Sequence, residues 1–594
     1  MVTAISVLDT ERNKKNVSRE NLTNGICSQQ LLYKAAQDST EIDMLTFEIL
    51  LERLGRSADD LEYILSESEY NEITRRDLIE YKILSGDIIG AKAELAKYEE
   101  NLGAATPVMR MYYYRARAYI LIRSTKGDDG IIEAKEWIIK AIKETLPGIN
   151  KSNYRDYLLS TYEIENILVY IKCLCLQGKT SEAASLLEEG YAYFKQVVTD
   201  KTLLARILPK AVYLMIRYCT NEISYDRLCE YAEEGIDCLR NEGVLYLMEP
   251  LLNSAVGMYK NHQNTERASY WSQYCDLIHN LYVDYGCELV QDSLLFRWKA
   301  SSYHLDCEVI KAERMSREMS QEELAYDIYS SAASISRVEN GKVSPNKRTY
   351  RKIMERLSLD KPRCGGFVLT TSFDTLEKIG NIREISSHGQ FQEALALIEE
   401  LENDLKEDSY IVAPYKYQVL SALGKIDKLS MRIKALEMLK SRYPIEKDVY
   451  LRKPFLYEVD LIAMLMQSLS KDEVKLKEDI VYKLKKAYEY SKVDALYNYR
   501  GYTSMVSIAL IMVEPYIPKP IEDDLLDNLI KYCLSCGKGT ALTGAFFGEG
   551  KKEKYDNLKD KRLQLVYNSY MFAYLYKYAN ADAKRNCYNR LCES

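Results

Sequence analysis

Apolar positions along most of this chain recur at spacings of three and four, in segments that come in pairs roughly every 35–45 residues. Such spacing gathers apolar side chains on one face of a helix. A helix pair repeated at a fixed period buries that face against its neighbours as an array. Pairs are predicted near 74–101, 108–145, 157–196, 202–241 and 244–283, and again near 373–405, 411–442, 449–492, 496–536 and 562–592. In LVYIKCLCLQGKTSEAASLLEEGYAYF at 168–194, Gly178 stands at the turn, and Ala183 and Ala184 stand where two helices approach closely. GQFQEALALIEELE at 389–402 has the same form, and a glycine-rich interruption at 537–550 reads as a loop. The predicted fold class is all-α.

A different pattern stands at the centre. In SQEELAYDIYSSAASISRVENGK (320–342), Ser320 followed by Glu323 forms a capping box for a helix reaching about Ile328. A second helix starts near Ser331 and is closed by Gly341. Leu324, Ala325, Ile328, Ile335 and Val338 are spaced to make one small shared core that fixes the second helix across the first. A loop containing Pro345 and a further helix from about Arg348 to Leu357 follow. This is helix-turn-helix grammar; the plain alternative is a helical hairpin within an all-α protein. Charge favours the first. From Gly341 to Lys352 the chain carries Lys342, Lys347, Arg348, Arg351 and Lys352 and no acid, a rim suited to DNA phosphates. Arg337 has the length to reach a phosphate or a guanine edge.

The same module recurs, worn, at the amino terminus in SRENLTNGICSQQLLYKAAQDS (18–39). At an offset of 302, Glu11, Arg12, Ser18, Glu20, Leu22, Ile26 and Ser28 meet Glu313, Arg314, Ser320, Glu322, Leu324, Ile328 and Ser330. After one missing residue, Thr46, Glu52, Arg53 and Leu54 meet Thr349, Glu355, Arg356 and Leu357 at 303, and Gly86 and Ala91 meet Gly389 and Ala394. A tandem duplication is the simplest account. It yields a degenerate helix-turn-helix at 1–60, helical repeats at 70–292, an intact helix-turn-helix at 305–360 and helical repeats at 370–594. The copies differ in chemistry: Glu339 and Gly341 become Ala36 and Asp38, and the segment 38–49 has Asp38, Glu41, Asp43 and Glu48 with no base. Such a segment repels phosphate. The first copy is expected to keep its fold and serve as a packing or dimerisation platform, although Lys14, Lys15, Arg19 and Lys34 remain.

Composition narrows the function further. A formal charge of −7 and a pI near 5.6 confine any DNA contact to a local basic patch. Fourteen cysteines show no framework, no signal peptide is evident, and the longest apolar run, MVSIALIMV at 505–513, is too short to span a bilayer. A cytoplasmic protein with no membrane partner is expected. His262, His279, His304 and His388 have no cysteine or carboxylate at a ligand or triad spacing, so no metal, cofactor or catalytic activity is expected. Cys533 and Cys536 form a lone CxxC that reads as buried thiols, and GKGTALTGAFFGEGKK (537–552) fails the phosphate-loop spacing because Lys551 is followed by Lys552. Fifty tyrosines suit helix-pair interfaces. Tyr112, Tyr113, Tyr114, Tyr497 and Tyr499 have the chemistry to stack on a peptide, and no role is assigned to them.

The central module resembles the Cro/repressor (XRE) family of helix-turn-helix domains over residues 307–358. In that family an arginine on the first helix pairs with a glutamate at the end of the recognition helix; Arg314 and Glu339 occupy those places, and the family's Glu-Asn-Gly-Lys ending is present as Glu339, Asn340, Gly341 and Lys342. The resemblance implies that Ser330, Ser331, Ala332 and Ser334 face the bases and that Gln321 meets a phosphate, with a solvated surface residue as the alternative for each. The arrays resemble tetratricopeptide repeats, and the combination resembles peptide-pheromone regulators of the Rgg and PlcR kind, the GICS segment from Gly25 to Ser28 included. That resemblance implies quorum-sensing control of transcription, homodimerisation through the array and a concave groove for a short peptide. Its asparagines on inner helices would correspond to Asn166, Asn253 and Asn568; an ordinary surface or capping asparagine is the alternative. Two functions stay open: a ligand-responsive regulator binding double-stranded DNA, and a helical adaptor for which DNA binding is secondary.

Overall fold

The computed structural model describes residues 4–36, 42–100, 106–124, 127–150, 153–287, 294, 302–328, 330–357, 372–405, 411–447, 450–470, 472–493, 519–539, 541–542, 545–546 and 559–575. Outside this set lie the apolar run at 505–513, Tyr497 and Tyr499, and most of the glycine-rich loop. The beginning of the pair expected at 496–536 and the end of that at 562–592 are also outside it.

The described residues are helical nearly throughout. In chain order they form α1 (Ala4–Lys14), α2 (Arg19–Thr23), α3 (Gln29–Ala36), α4 (Met44–Arg53), α5 (Glu67–Leu84), α6 (Ile88–Glu99), α7 (Pro107–Ser124), α8 (Asp128–Thr145), α9 (Thr161–Leu176), α10 (Thr180–Val197), α11 (Lys201–Tyr218), α12 (Tyr225–Asn241), α13 (Met248–Asn261) and α14 (Thr265–Asp284). There follow α15 (Asp306–Ser316), α16 (Gln321–Asp327), α17 (Ala332–Glu339), α18 (Lys347–Arg356), α19 (Phe373–Ser387), α20 (Phe391–Leu405), α21 (Ala413–Ala422), α22 (Lys428–Arg442), α23 (Leu456–Ser468), α24 (Val474–Glu489), α25 (Lys519–Cys536) and α26 (Lys559–Leu575). Several starts carry side-chain caps. Ser160 and Glu163 form a capping box on α9, and Asp200 accepts the Leu203 amide at the start of α11. Among the described residues no helix is long and apolar enough to cross a membrane.

Contacts divide the chain into two compact units, one of residues 1–10, 59–71 and 299–529, the other of 11–58, 72–298 and 530–594. In the second unit α7 packs on α8, α9 on α10, α11 on α12 and α13 on α14, while α9 touches α11 and α11 touches α13. The first helices of three successive pairs, α9, α11 and α13, thus pack in sequence. The α4 helix lies against α7 and α9, buried over Met44–Phe47 and Ile49–Arg53. Arg53 gives its Nη2 to Glu163 Oε1 at 2.5 Å, and Glu52 takes Arg206 at 3.2 Å and the Thr161 amide at 3.0 Å. Gly25, at φ +73°, turns the chain between α2 and α3 so closely over α8 that a Cβ there would stand 2.2 Å from the Thr145 carbonyl oxygen.

The first unit departs from the all-α expectation in one feature. Glu62–Leu65 (β1) and Ser302–Leu305 (β2) pair in parallel, with Tyr63 opposite Tyr303 and Ile64 opposite His304. Four-residue strands 240 positions apart leave no periodic trace, so pattern reading misses them. Buried polar groups surround the ladder. Glu62 accepts the Leu456 amide at 3.1 Å and meets His304 Nε2 at 2.7 Å, Lys453 donates to the Tyr303 carbonyl, and Arg452 bridges Glu458 at 2.7 Å and Glu313 of α15 at 3.1 Å. Burial pushes Glu62 up to about 8, lowers Lys453 to about 8 and lowers His304. Glu62 and His304 are therefore held neutral at pH 7, and a protonated Glu62 can donate to His304 while still accepting from Leu456.

Candidate nucleic-acid interface

The α15–α18 module is built as its capping signals require. Ser320 Oγ accepts the Glu323 amide at 3.1 Å while the Glu323 carboxylate accepts the Ser320 amide at 2.6 Å, opening α16. Ser331 caps α17, its Oγ accepting the Ser334 amide at 3.1 Å. Leu324, Ala325, Ile328, Ile335 and Val338 are buried, as are Ile353 and Met354 from α18 and Leu357, which follows it. Gly341, at φ +71°, follows α17 where the left-handed backbone suits glycine.

One buried carboxylate ties the helices together. Glu339 Oε1 meets Arg314 Nε at 2.5 Å, and Oε2 accepts Arg314 Nη2 at 3.1 Å and Gln321 Nε2 at 2.7 Å. Arg314 also donates to the Met319 carbonyl. A fork-on-fork pair of this kind fixes angle as well as distance. Gln321, expected at a phosphate, is thus engaged with Glu339, and the Ser331 hydroxyl serves the cap.

The α17 entrance and the rim are open. Ser330, Ser331, Ser334, Arg337, Lys342, Arg348 and Arg351 are exposed, and Ala332 and Lys352 are half-buried. The Lys347 side chain lies outside the described residues. Among the described residues, Arg337, Lys342 and Arg348 have no carboxylate within ion-pair distance. The far end of α17 is held: Lys492 donates to the Asn340 carbonyl at 3.2 Å and pairs with Glu67 at 3.4 Å, and a Cβ on Gly341 would strike Glu67 Oε2. The module is therefore held through Glu313 and Asn340 while Arg337, Lys342, Arg348 and Arg351 are exposed. At the positions aligned with Arg348 and Lys352, α4 carries Leu45 and Ile49, both fully buried.

The asparagines fall in three different settings. Asn166 on α9 is wholly buried, with both amide atoms lacking a hydrogen-bond partner among the described residues; Asn253 on α13 is exposed and 3.4 Å from Glu249; Asn568 on α26 is buried and accepts from Gln564 at 2.9 Å. No described hydrogen bond joins any two of them. Beside Asn166 in sequence lies an ionic cluster that pattern reading missed: Glu165 takes Arg115 at 2.9 Å and Lys210 at 2.5 Å, all three buried, and Lys210 also donates to the Leu294 carbonyl at 3.0 Å. The available signal was charge on the otherwise apolar first-of-pair helices.

Comparison with known proteins agrees with this geometry over the central module. The sequence pattern of the Helix-turn-helix family matches residues 310–361, and the chain carries a domain of that DNA-binding class there. No curated protein and no solved structure matches the chain.

Proposed function

We propose that this protein is a sequence-specific transcription regulator that reads double-stranded DNA with α17 and holds its phosphates with the rim of Lys342, Lys347, Arg348 and Arg351. The observation that carries the reading is the exposed α17 entrance bordered by Arg337, Lys342 and Arg348, which have no carboxylate within ion-pair distance among the described residues, in a module that matches a DNA-binding family. Ser330, Ala332, Ser334 and Arg337 are the candidate base-facing residues. Gln321 supports the recognition helix through Glu339, and its second amide hydrogen remains a candidate phosphate donor.

The reading extends to a tandem duplication with a degenerate first module. In its support, α1, α3 and α4 have both bounds 302 or 303 residues before those of α15, α17 and α18. The burial of α4 supports a packing role for that first copy. Control by a ligand in the helical arrays and association of two chains complete the proposal, as in regulators of the Rgg and PlcR kind; the buried Asn166 amide, without a hydrogen-bond partner among the described residues, supports a ligand beside α9. The adaptor reading is favoured by one observation, the burial of α4 against α7 and α9.

The test is binding of the full chain to duplex DNA from upstream of its own coding sequence. Affinity about a thousandfold above that for a scrambled duplex is expected. Equal affinity for both would leave the adaptor.

A further inference from the structure

The second unit contains a cavity of about 320 Å³ between α8, α9 and α10. Ile139 and Ile142 of α8, Ile167 and Ile171 of α9, and Leu187 and Phe194 of α10 supply its walls, and the segment following α8 closes one side with Ile149 and Tyr154. Several of these apolar side chains, Ile139, Ile142 and Ile167 among them, are only partly buried, so apolar surface stays in contact with water. Gly190 adds a second observation. It sits inside the 18-residue α10 with no positive φ to require it, although glycine is a poor helix former. A Cβ there would stand 3.3 Å from the Phe194 ring that lines the cavity. The missing side chain keeps the space open.

The polar groups near the cavity are mostly committed elsewhere. Tyr193 donates its hydroxyl to the Tyr157 carbonyl at 3.3 Å, Tyr157 donates to the Pro147 carbonyl at 2.6 Å, and the Tyr154 hydroxyl takes Arg155 Nε at 3.0 Å. A peptide backbone inside these walls would leave its own N–H and C=O groups unpaired, whereas a hydrocarbon chain has none to satisfy. At the rim stand Lys143 and Glu189. Arg155 is close enough to Glu189 to feel its charge, while Lys143 has no carboxylate partner among the described residues. The rim therefore presents one unmatched positive charge above an apolar shaft.

We propose that this cavity binds a medium-chain amphiphile with a carboxylate head, its chain between α8, α9 and α10 and its head on Lys143. At about 30 Å³ per group, the size of a water, the cavity holds a chain of about ten carbons. The site deepens the ligand-control part of the proposed function and rests on that reading for its purpose. Its occupancy is independent of DNA, so the test is run on the full chain without DNA and fails or succeeds separately.

The experiment is calorimetric titration of the full-length protein with hexanoate, octanoate, decanoate, dodecanoate and tetradecanoate below their micelle concentrations, with decyltrimethylammonium as the head-group control. Affinity is expected to rise about fourfold per methylene up to about ten carbons and then level off. The cationic amphiphile is expected to bind at least tenfold more weakly than decanoate. Ile139→Trp, which fills the cavity, should abolish decanoate binding, and the surface change Lys143→Glu should weaken it at least tenfold with an unchanged melting curve. The proposal is overturned by absence of decanoate binding, by a chain-length rise that continues through tetradecanoate, by equal binding of the cationic amphiphile, or by decanoate binding that Lys143→Glu leaves intact.

Discussion

Replacing Glu339 by alanine probes the part of the molecule that holds the recognition helix in place. The Glu339 side chain is 2% exposed and that of Arg314 11%, and the carboxylate accepts from Arg314 at 2.5 and 3.1 Å and from Gln321 at 2.7 Å. Its removal leaves the guanidinium with only the Met319 carbonyl as a described partner. Breaking one side of a buried pair costs about 3–5 kcal/mol, and the partial exposure of Arg314 places this pair near ~3 kcal/mol. Because α15–α18 share one small core, the loss should appear as local opening of the module. The assay is hydrogen exchange with mass spectrometry on the full chain. Protection of the α17 amides is expected to fall about 100-fold, since ~1.4 kcal/mol is tenfold, while α11 and α13 are unchanged. Arg314→Met combined with Glu339→Met should recover more than half of the loss, because no unpaired charge remains. Unchanged α17 protection in Glu339→Ala, or a double variant no better than the single, would refute the reasoning.

Other consequences are equally specific. Arg53→Met takes the counter-charge from the buried Glu163 carboxylate and strands three carbonyl acceptors, so urea unfolding of the second unit should begin earlier by ~3–5 kcal/mol; an unchanged transition would contradict the anchoring role. Gly25→Ala forces a Cβ to 2.2 Å from the Thr145 carbonyl oxygen at φ +73°, and a melting temperature equal to that of the parent would show that α2 and α3 do not dock this way. Glu62 is held protonated by burial up to about 8, against 4.5 for an ordinary glutamate. Between those values the folded chain binds the extra proton, so this group's contribution to stability is present at low pH and declines as pH rises from about 4.5 to 8. Glu62→Gln should therefore gain stability relative to the parent as pH rises through that window, and a pH-independent difference would overturn the assignment.

Helices were legible from their apolar spacing, and their ends where a local device signalled them. Ser320 with Glu323, and Gly341 after Val338, announce the ends of α16 and α17 within a few residues of chain. Gly178 and the alanines after it likewise announce the turn from α9 to α10. What stayed hidden depends on partners distant in sequence. Glu62 and His304 meet across 242 positions, and Arg53 and Glu163 across 110; neither pair alters the periodicity that reveals a helix. The engagement of Gln321 by Glu339 was hidden for another reason, since an amide at the start of α16 can serve a phosphate or a neighbouring carboxylate and only geometry decides. The Arg115, Glu165 and Lys210 cluster was present as charge on apolar helices, but a charged residue on a helix usually faces water.

The central claim is that the rim around α17 meets phosphate while the amino-terminal segment does not. It is tested most directly by the salt dependence of full-chain binding to its upstream duplex, measured for the parent, for Arg348→Gln with Arg351→Gln, and for Lys14→Gln with Lys15→Gln. Each lost phosphate contact should reduce the slope of log affinity against log salt by about 0.9. The account predicts a slope shallower by about 2 and much weaker binding for the first pair, with parental behaviour for the second. Parental binding by the Arg348 and Arg351 variant, or its loss in the Lys14 and Lys15 variant, would contradict it.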